Sequence, residues 1–251
     1  VIHLDLIGIG TGNPDHLTRA AERAMRAADL ILLPRKRADT ADLIDLRQAL
    51  CAEVLTGATR VVVFDLPERA ADGPYLGAVR SWHDAIAAAW AEAIATHLPG
   101  GGRLALLVWG DPSLYDSTLR IAARLRSGGM ALHVTVVPGI TSLQALTAAH
   151  VIPLNTLAAP VLVTTGRRLR AGGWPAGIDT LAVMLDGECA FTTFDPADVA
   201  IWWGAYLGMA QQALAAGPLA EVAATIQARR AALRAEHGWI MDTYLLRRTA
   251  T

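Results

Sequence analysis

The stretch Ile2-His3-Leu4-Asp5-Leu6-Ile7-Gly8-Ile9-Gly10-Thr11-Gly12-Asn13-Pro14 decides the fold. Its first part, Ile2–Ile9, is a short apolar run that reads as a strand. Glycines follow at 8, 10 and 12. Asp15–Ala28 then places Leu17, Ala20, Ala21, Ala24, Met25 and Ala28 at helical spacing. Strand, glycine turn and helix in this order open an α/β layer with parallel strands.

The rhythm repeats outward. Strands are predicted at Leu30–Leu33 (stopped by Pro34), Val61–Phe64, Arg103–Trp109 and Leu132–Val137. Helices are predicted between them at Asp39–Val54, Leu76–Leu98 and Leu114–Leu125. After Pro138-Gly139 the pattern changes to a short helix, Thr141–Ala149, and an extended linker, Val151–Pro160. Strands follow at Val161–Thr165, Thr180–Leu185, Val199–Trp203 and Trp239–Leu246, with a helix at Leu219–His237. The expected fold class is α/β with two α/β domains, residues 1–150 around a parallel sheet and 151–251 around a mixed one.

Composition narrows the function. The chain has 251 residues, 53% hydrophobic and 18% charged, which rules out intrinsic disorder. A formal net charge of -1 argues against nucleic acid as a partner. Cys51 and Cys189 make no disulfide framework and point to a reducing compartment. The longest stretch free of Asp, Glu, Lys and Arg, Met130–Gly166, is broken by Pro138, Pro153 and Pro160, so no spanning helix is expected. Nothing basic precedes the apolar start, as a signal peptide would require. A soluble, cytoplasmic protein is expected. The histidines show no paired-ligand spacing, and no metal site is expected.

Three turns carry the chemistry. In the first, Gly8–Pro14, Asn13 stands where a dinucleotide fingerprint needs glycine, and Leu33-Pro34-Arg35 replaces the acidic residue expected after the second strand. Lys36 is not preceded by the glycine of a Walker A loop. A ligand loop and an ordinary capped turn both remain open. The second, Trp109-Gly110-Asp111-Pro112-Ser113-Leu114, follows the fourth strand; Asp111 offers an acceptor for ribose hydroxyls or an ammonium, or simply caps a helix. The third, Pro138-Gly139-Ile140-Thr141-Ser142, presents hydroxyls that cap a helix or meet a ligand. Ligands of parallel sheets bind beyond the carboxyl ends of strands, so three such turns would line one edge.

Taken together, these turns resemble those of the tetrapyrrole methyltransferases, the S-adenosylmethionine-dependent enzymes of cobalamin and siroheme synthesis. The resemblance covers essentially the whole chain and includes Ile7–Pro14 with Leu17-Thr18, Gly110-Asp111-Pro112, Pro138–Ser142 and Ile152-Pro153-Leu154. Further segments, Trp109–Thr118, Leu185–Phe191, Ile201–Gly208 and His237–Leu246, are similar to the branch that methylates precorrin-5 at C-1 and releases acetate.

The resemblance implies a homodimer of two-domain chains, with S-adenosylmethionine in a cleft between the domains and a precorrin as substrate. It implies cofactor contacts from Thr11, Trp109, Gly110, Asp111, Leu114, Thr141, Ser142, Met184, Leu185 and Gly208. A precorrin carries many carboxylates, so the basic runs Arg35-Lys36-Arg37 and Arg167-Arg168, which follow strands, are the candidate substrate receptors; otherwise they are solvated faces. In uroporphyrinogen methyltransferases an acidic residue proposed as proton acceptor ends the second strand, and Pro34 stands there here. No general base is therefore assigned. Deacetylation favours a positioned base, for which Tyr115, Asp116, Asp186 and Glu188 are the candidates, each with a structural role as the alternative. Rival readings are methylation at another macrocycle position, a nucleotide-dependent oxidoreductase, and a tetrapyrrole carrier.

Overall fold

The computed structural model describes residues 1–35, 41–67 and 75–249, with only the backbone described at 41–42 and 75–78. It divides into two units, Val1–Ile140 and Thr141–Thr251.

In the first unit, β1 (Ile2–Gly8), β2 (Leu30–Arg35), β3 (Arg60–Asp65), β4 (Gly102–Val108) and β5 (Leu132–Val137) form a parallel sheet in the order β3-β2-β4-β1-β5. The connecting helices are α1 (Arg19–Ala27), α2 (Ala41–Val54), α3 (Tyr75–His97) and α4 (Thr118–Ser127). Strands buried on both faces read as continuous apolar runs. Leu4, Leu6, Leu104 and Leu106 pack against Ile86, Trp90 and Ile94 of α3 and Ile121 and Leu125 of α4. On the opposite face Ile7, Ile31, Ala105 and Leu107 pack against Ala21 and Met25 of α1 and Leu50 and Val54 of α2.

Local chemistry shifts three boundaries. The expected helix Asp15–Ala28 is a short 3-10 turn, Pro14–His16, followed by α1, because Asn13 caps the turn and Thr18 caps the helix. The fourth helix starts at Thr118 rather than Leu114, since Asp111 and Asp116 bond locally and hold the intervening loop out of helix. Strand β2 continues through Pro34 to Arg35, with Pro34 opposite Phe64 and Arg35 opposite Asp65.

Pro34 is tolerated for a specific reason. The β2–β4 pairing ends at Leu32 opposite Leu106, while the Arg35 carbonyl accepts from Leu66 on the β3 side. Peptide groups alternate sides along a strand, so the nitrogen of residue 34 faces β4, where a missing N–H breaks no formed pair.

In the second unit, β6 (Val161–Thr165), β7 (Thr180–Met184), β8 (Val199–Ala205), β9 (Ala213–Pro218) and β10 (Asp242–Arg248) run in the order β6-β7-β10-β8-β9. Only β6 and β7 are parallel, so the sheet is mixed. Its helices are α5 (Ser142–His150), α6 (Gly166–Gly172) and α7 (Leu219–His237). Helix α5 belongs to this unit, which puts the division before it rather than after: Leu146 is fully buried and lies against Gly204 of β8. Strand β9 and helix α6 are elements that sequence reasoning missed. Trp203, Tyr206 and Tyr244 are buried in the core of this unit.

Candidate functional site

β1 and β4 are neighbours, yet their connections leave in opposite directions. β1 leads through α1 to β2, beyond β4; β4 leads through α4 to β5, beyond β1. Parallel sheets place ligands at such a switch point, outside the carboxyl ends. Here that place is occupied by the three turns, since Gly8 pairs with Val108 and Ile7 with Val137.

The turns are locked to each other by backbone. Gly10 N donates to the Gly110 carbonyl at 3.3 Å and Gly110 N to the Gly10 carbonyl at 2.8 Å. A Cβ on Gly8 would lie 2.6 Å from Gly139 N and 2.8 Å from the Gly110 carbonyl oxygen, so no side chain fits between the strands' ends. Gly10 and Gly110 have φ of 74° and 66°, conformations that favour glycine. The three turns thus meet backbone to backbone, with no room for side chains between them.

Asp111, 8% exposed, braces this edge. One carboxylate oxygen accepts from Ser113 N at 2.8 Å and from the Ser113 hydroxyl; the other accepts from Gly139 N at 2.8 Å. Burial opposes its ionisation, but these hydrogen bonds outweigh it and hold the carboxyl below the usual range. Asp111 does not cap α4, whose N-cap position is Ser117. Thr11 is buried, its hydroxyl 3.3 Å from His16 Nδ1. Leu114 and Trp109 are half-buried on this edge, and the Trp109 indole N–H is buried without an acceptor.

The second unit gathers its own candidates at one edge of its sheet. Thr165 of β6 lies opposite Met184 of β7, and Ala205 of β8 opposite Asp242 of β10. Leu185 follows β7 with φ 52° and 65% exposure, a left-handed conformation uncommon for leucine. Gly208, with φ 83°, donates its N–H to Gln212 Oε1 at 2.7 Å. Thr141 caps α5 in a capping box with Gln144, and Ser142 Oγ accepts from the Thr243 hydroxyl at 3.2 Å.

The Leu185 turn is anchored by Asp186. Its carboxylate accepts from Arg170 Nη1 at 2.8 Å, Glu188 N at 3.1 Å, the Tyr244 hydroxyl at 2.6 Å and Ala190 N. Arg230 donates to the Asp186 carbonyl at 2.8 Å and pairs with Asp242 at 2.9 Å, and Asp242 also accepts from Trp203 Nε1. Burial works against the Asp186 charge, yet these donors hold its pKa low, and burial beside that charge raises the Tyr244 phenol.

The four acid–base candidates therefore separate. Asp186 spends about four lone pairs on the chain itself, its full acceptor capacity. Asp116 accepts from Thr118 N and its hydroxyl at the start of α4. Glu188, with a side chain 74% exposed, faces Arg170 at 3.3 Å. Tyr115 is 43% exposed with φ 50°.

The basic runs fare similarly. Arg35 is exposed and engages Asp65 through Nε at 2.7 Å and Nη2 at 3.1 Å. Lys36 and Arg37 lie outside the described residues. Arg167 and Arg168 are exposed in the first turn of α6. A cation that the sequence did not single out, Arg47 of α2, reaches the carboxyl edge of the first sheet, donating from Nε to the Leu107 carbonyl at 3.1 Å. Its signal was Pro34, a strand residue with no N–H for a neighbouring acceptor.

This fold and edge define a class. Residues 3–223 match the family model of tetrapyrrole (corrin/porphyrin) methylases, and the chain belongs to that family. It is 46% identical over 98% of its length to the precorrin-6A synthase [deacetylating] of Sinorhizobium sp, covering 95% of that protein. A crystal structure of the cobalamin-synthesis-related protein CobF from Corynebacterium diphtheriae matches all of both chains with TM-score 0.85 and 38% identity. The uroporphyrin-III C-methyltransferase of Thermus thermophilus, solved with S-adenosyl homocysteine, shares the fold: TM-score 0.58, 20% identity, 97% of this chain and 91% of that one.

Proposed function

We propose that this protein is an S-adenosylmethionine-dependent C-methyltransferase of cobalamin biosynthesis that methylates precorrin-5 at C-1 and releases acetate, giving precorrin-6A. The observation that carries this reading is the near full-length 46% identity to a relative named for that reaction. The three glycine turns gathered at the switch point of the first sheet support it, because ligands of parallel sheets bind at such a place.

In this reading Thr11, Trp109, Gly110, Asp111 and Leu114 hold the methionine and ribose parts of the cofactor, with Thr141 and Ser142 as further polar contacts. Met184, Leu185 and Gly208 are the candidate cofactor contacts that the second unit carries. When bound, the cofactor supplies an activated methyl and its own leaving group. The chain contributes position and orientation, the main requirements of an in-line displacement. Asp111 acts through Gly139 and Ser113, keeping the turns in register. For loss of the acetyl group, Tyr115 and Glu188 are the candidates with exposed side chains, and neither is assigned as base.

We read the protein as a cytoplasmic homodimer; among the described residues no helix is long and apolar enough to cross a membrane. A sedimentation mass of one chain at micromolar concentration would refute the dimer. The decisive experiment is mass analysis of products from enzyme, S-adenosylmethionine and precorrin-5. One methyl gained with one acetyl lost as acetate is the expected result. A methylated product that keeps its acetyl group assigns another position on the macrocycle, and unchanged precorrin-5 overturns the reading.

A further inference from the structure

Arg47 stands where β2 parts from β4. Val108 faces β1, since its carbonyl accepts from Ile9 N, so the Leu107 carbonyl faces β2. Continuing the register past Leu32 opposite Leu106 brings residue 34 to that carbonyl, and Pro34 has no N–H to give. Arg47 Nε fills the vacancy at 3.1 Å, while its Nη1 donates to the Leu43 carbonyl at 3.3 Å.

A neutral amide would complete that strand end as well as a guanidinium does. The charge and the rest of the fork have no such use. A guanidinium has five N–H donors, and the described bonds engage two of them, leaving Nη2 without a bond among the described residues. Arg35, Arg103, Arg124, Arg170 and Arg230 each face a carboxylate within 3.1 Å. Among the described residues Arg47 faces none at ion-pair distance. Asp116 is near enough to favour its charge, but that carboxylate is bonded to Thr118.

Arg47 is half-buried, and a cation partly withdrawn from water is stabilised by an anionic partner. A second donor stands two residues beyond Leu107. Trp109 projects from the same face of β4 as Leu107, packing against the cluster of α1 and α2, and its indole N–H is buried without an acceptor. A carboxylate accepts from both kinds of donor.

We propose that Arg47, together with the Trp109 indole N–H, is a receptor for a ligand carboxylate at the carboxyl edge of the first sheet. The inference rests on the methyltransferase reading, which supplies two sources: the acetate and propionate arms of the tetrapyrrole, and the α-carboxylate of the cofactor.

The test uses Arg47→Gln, which keeps a donor for Leu107 and removes the charge, with Arg47→Lys as the conservative variant. The KM and kcat for precorrin-5, S-adenosylhomocysteine affinity by calorimetry, and the melting temperature are measured. If a substrate arm is held, Arg47→Gln raises the KM for precorrin-5 about tenfold or more, leaves S-adenosylhomocysteine affinity unchanged, and Arg47→Lys recovers part of the loss. If the cofactor's carboxylate is held, S-adenosylhomocysteine affinity falls by a similar factor and the KM for precorrin-5 stays. Wild-type values for both ligands in a folded Arg47→Gln protein overturn the proposal and leave Arg47 as a strand plug. Should that variant fail to fold, Trp109→Phe removes the second donor, and unchanged values for both ligands overturn the proposal equally. A wild-type enzyme that leaves precorrin-5 untouched defeats the functional reading instead, and the calorimetric arm alone then decides the receptor.

Discussion

The Asp111 carboxylate accepts the Gly139 amide hydrogen at 2.8 Å, tying the turn after β4 to the turn after β5 across the end of β1. Removing it in Asp111→Ala orphans the Gly139 amide and frees Ser113. Hydrogen bonds to a charged group contribute about 1.5–3 kcal/mol each, so a stability loss of at least that size is expected in urea unfolding. S-adenosylhomocysteine affinity should fall with it, because the turns lose their register. Full affinity in a destabilised variant would show that the brace serves folding alone.

Acid should expose the same brace. Asp111 and Asp186 both have folded pKa values below the unfolded value, near 3.9. Just below that value the unfolded chain binds more protons, so stability is fully present above about pH 4 and is lost as pH falls through the folded values. Urea midpoints measured downward from pH 6 should drop in the wild type and drop less steeply in Asp111→Ala. Parallel slopes would mean that Asp111 titrates normally.

Gly8→Ala should destabilise by about 1–3 kcal/mol or more, since its new methyl meets main-chain atoms of Gly139 and Gly110 that cannot yield. Gly57→Ala, with nothing within 4 Å of its added Cβ, is the control and should melt within a degree or two of wild type. Equal melting temperatures for the two variants would contradict the close packing of the turns.

Cys51 is buried, and burial pushes its thiol up to about 11. Burial likewise raises Cys189. At pH 8 almost no thiolate is present at Cys51, so a disulfide reagent should titrate the native protein slowly and both thiols promptly after unfolding. Rapid native modification at Cys51 would refute the buried assignment.

The first sheet was legible because Leu30–Leu33 and Leu104–Val108 are buried on both faces and stand between turn residues. β9 was not: Ala213-Leu214-Ala215-Ala216-Gly217-Pro218 has small side chains, no clear alternation, and gains its shape from pairing with β8. The glycine turns could be read, since close approach demands glycine. The Asp111 role could not, because its partner Gly139 lies 28 residues away and meets it only through the sheet. Arg47 was hidden for a similar reason, as nothing within α2 marks it until β2 and β4 separate.

Pro34 and Arg47 have a bearing on how this family diversifies. The Leu107 carbonyl offers one place on its outer side, and either a strand amide from position 34 or a helix side chain from position 47 occupies it. A lineage that exchanges the proline for any other residue restores the amide, extends the pairing of the two strands and releases position 47 from its bond to the Leu107 carbonyl, though not from a ligand's carboxylate. Relatives that keep the proline should therefore keep a long donor at position 47, whereas those with another residue at position 34 have no need of one for this strand end.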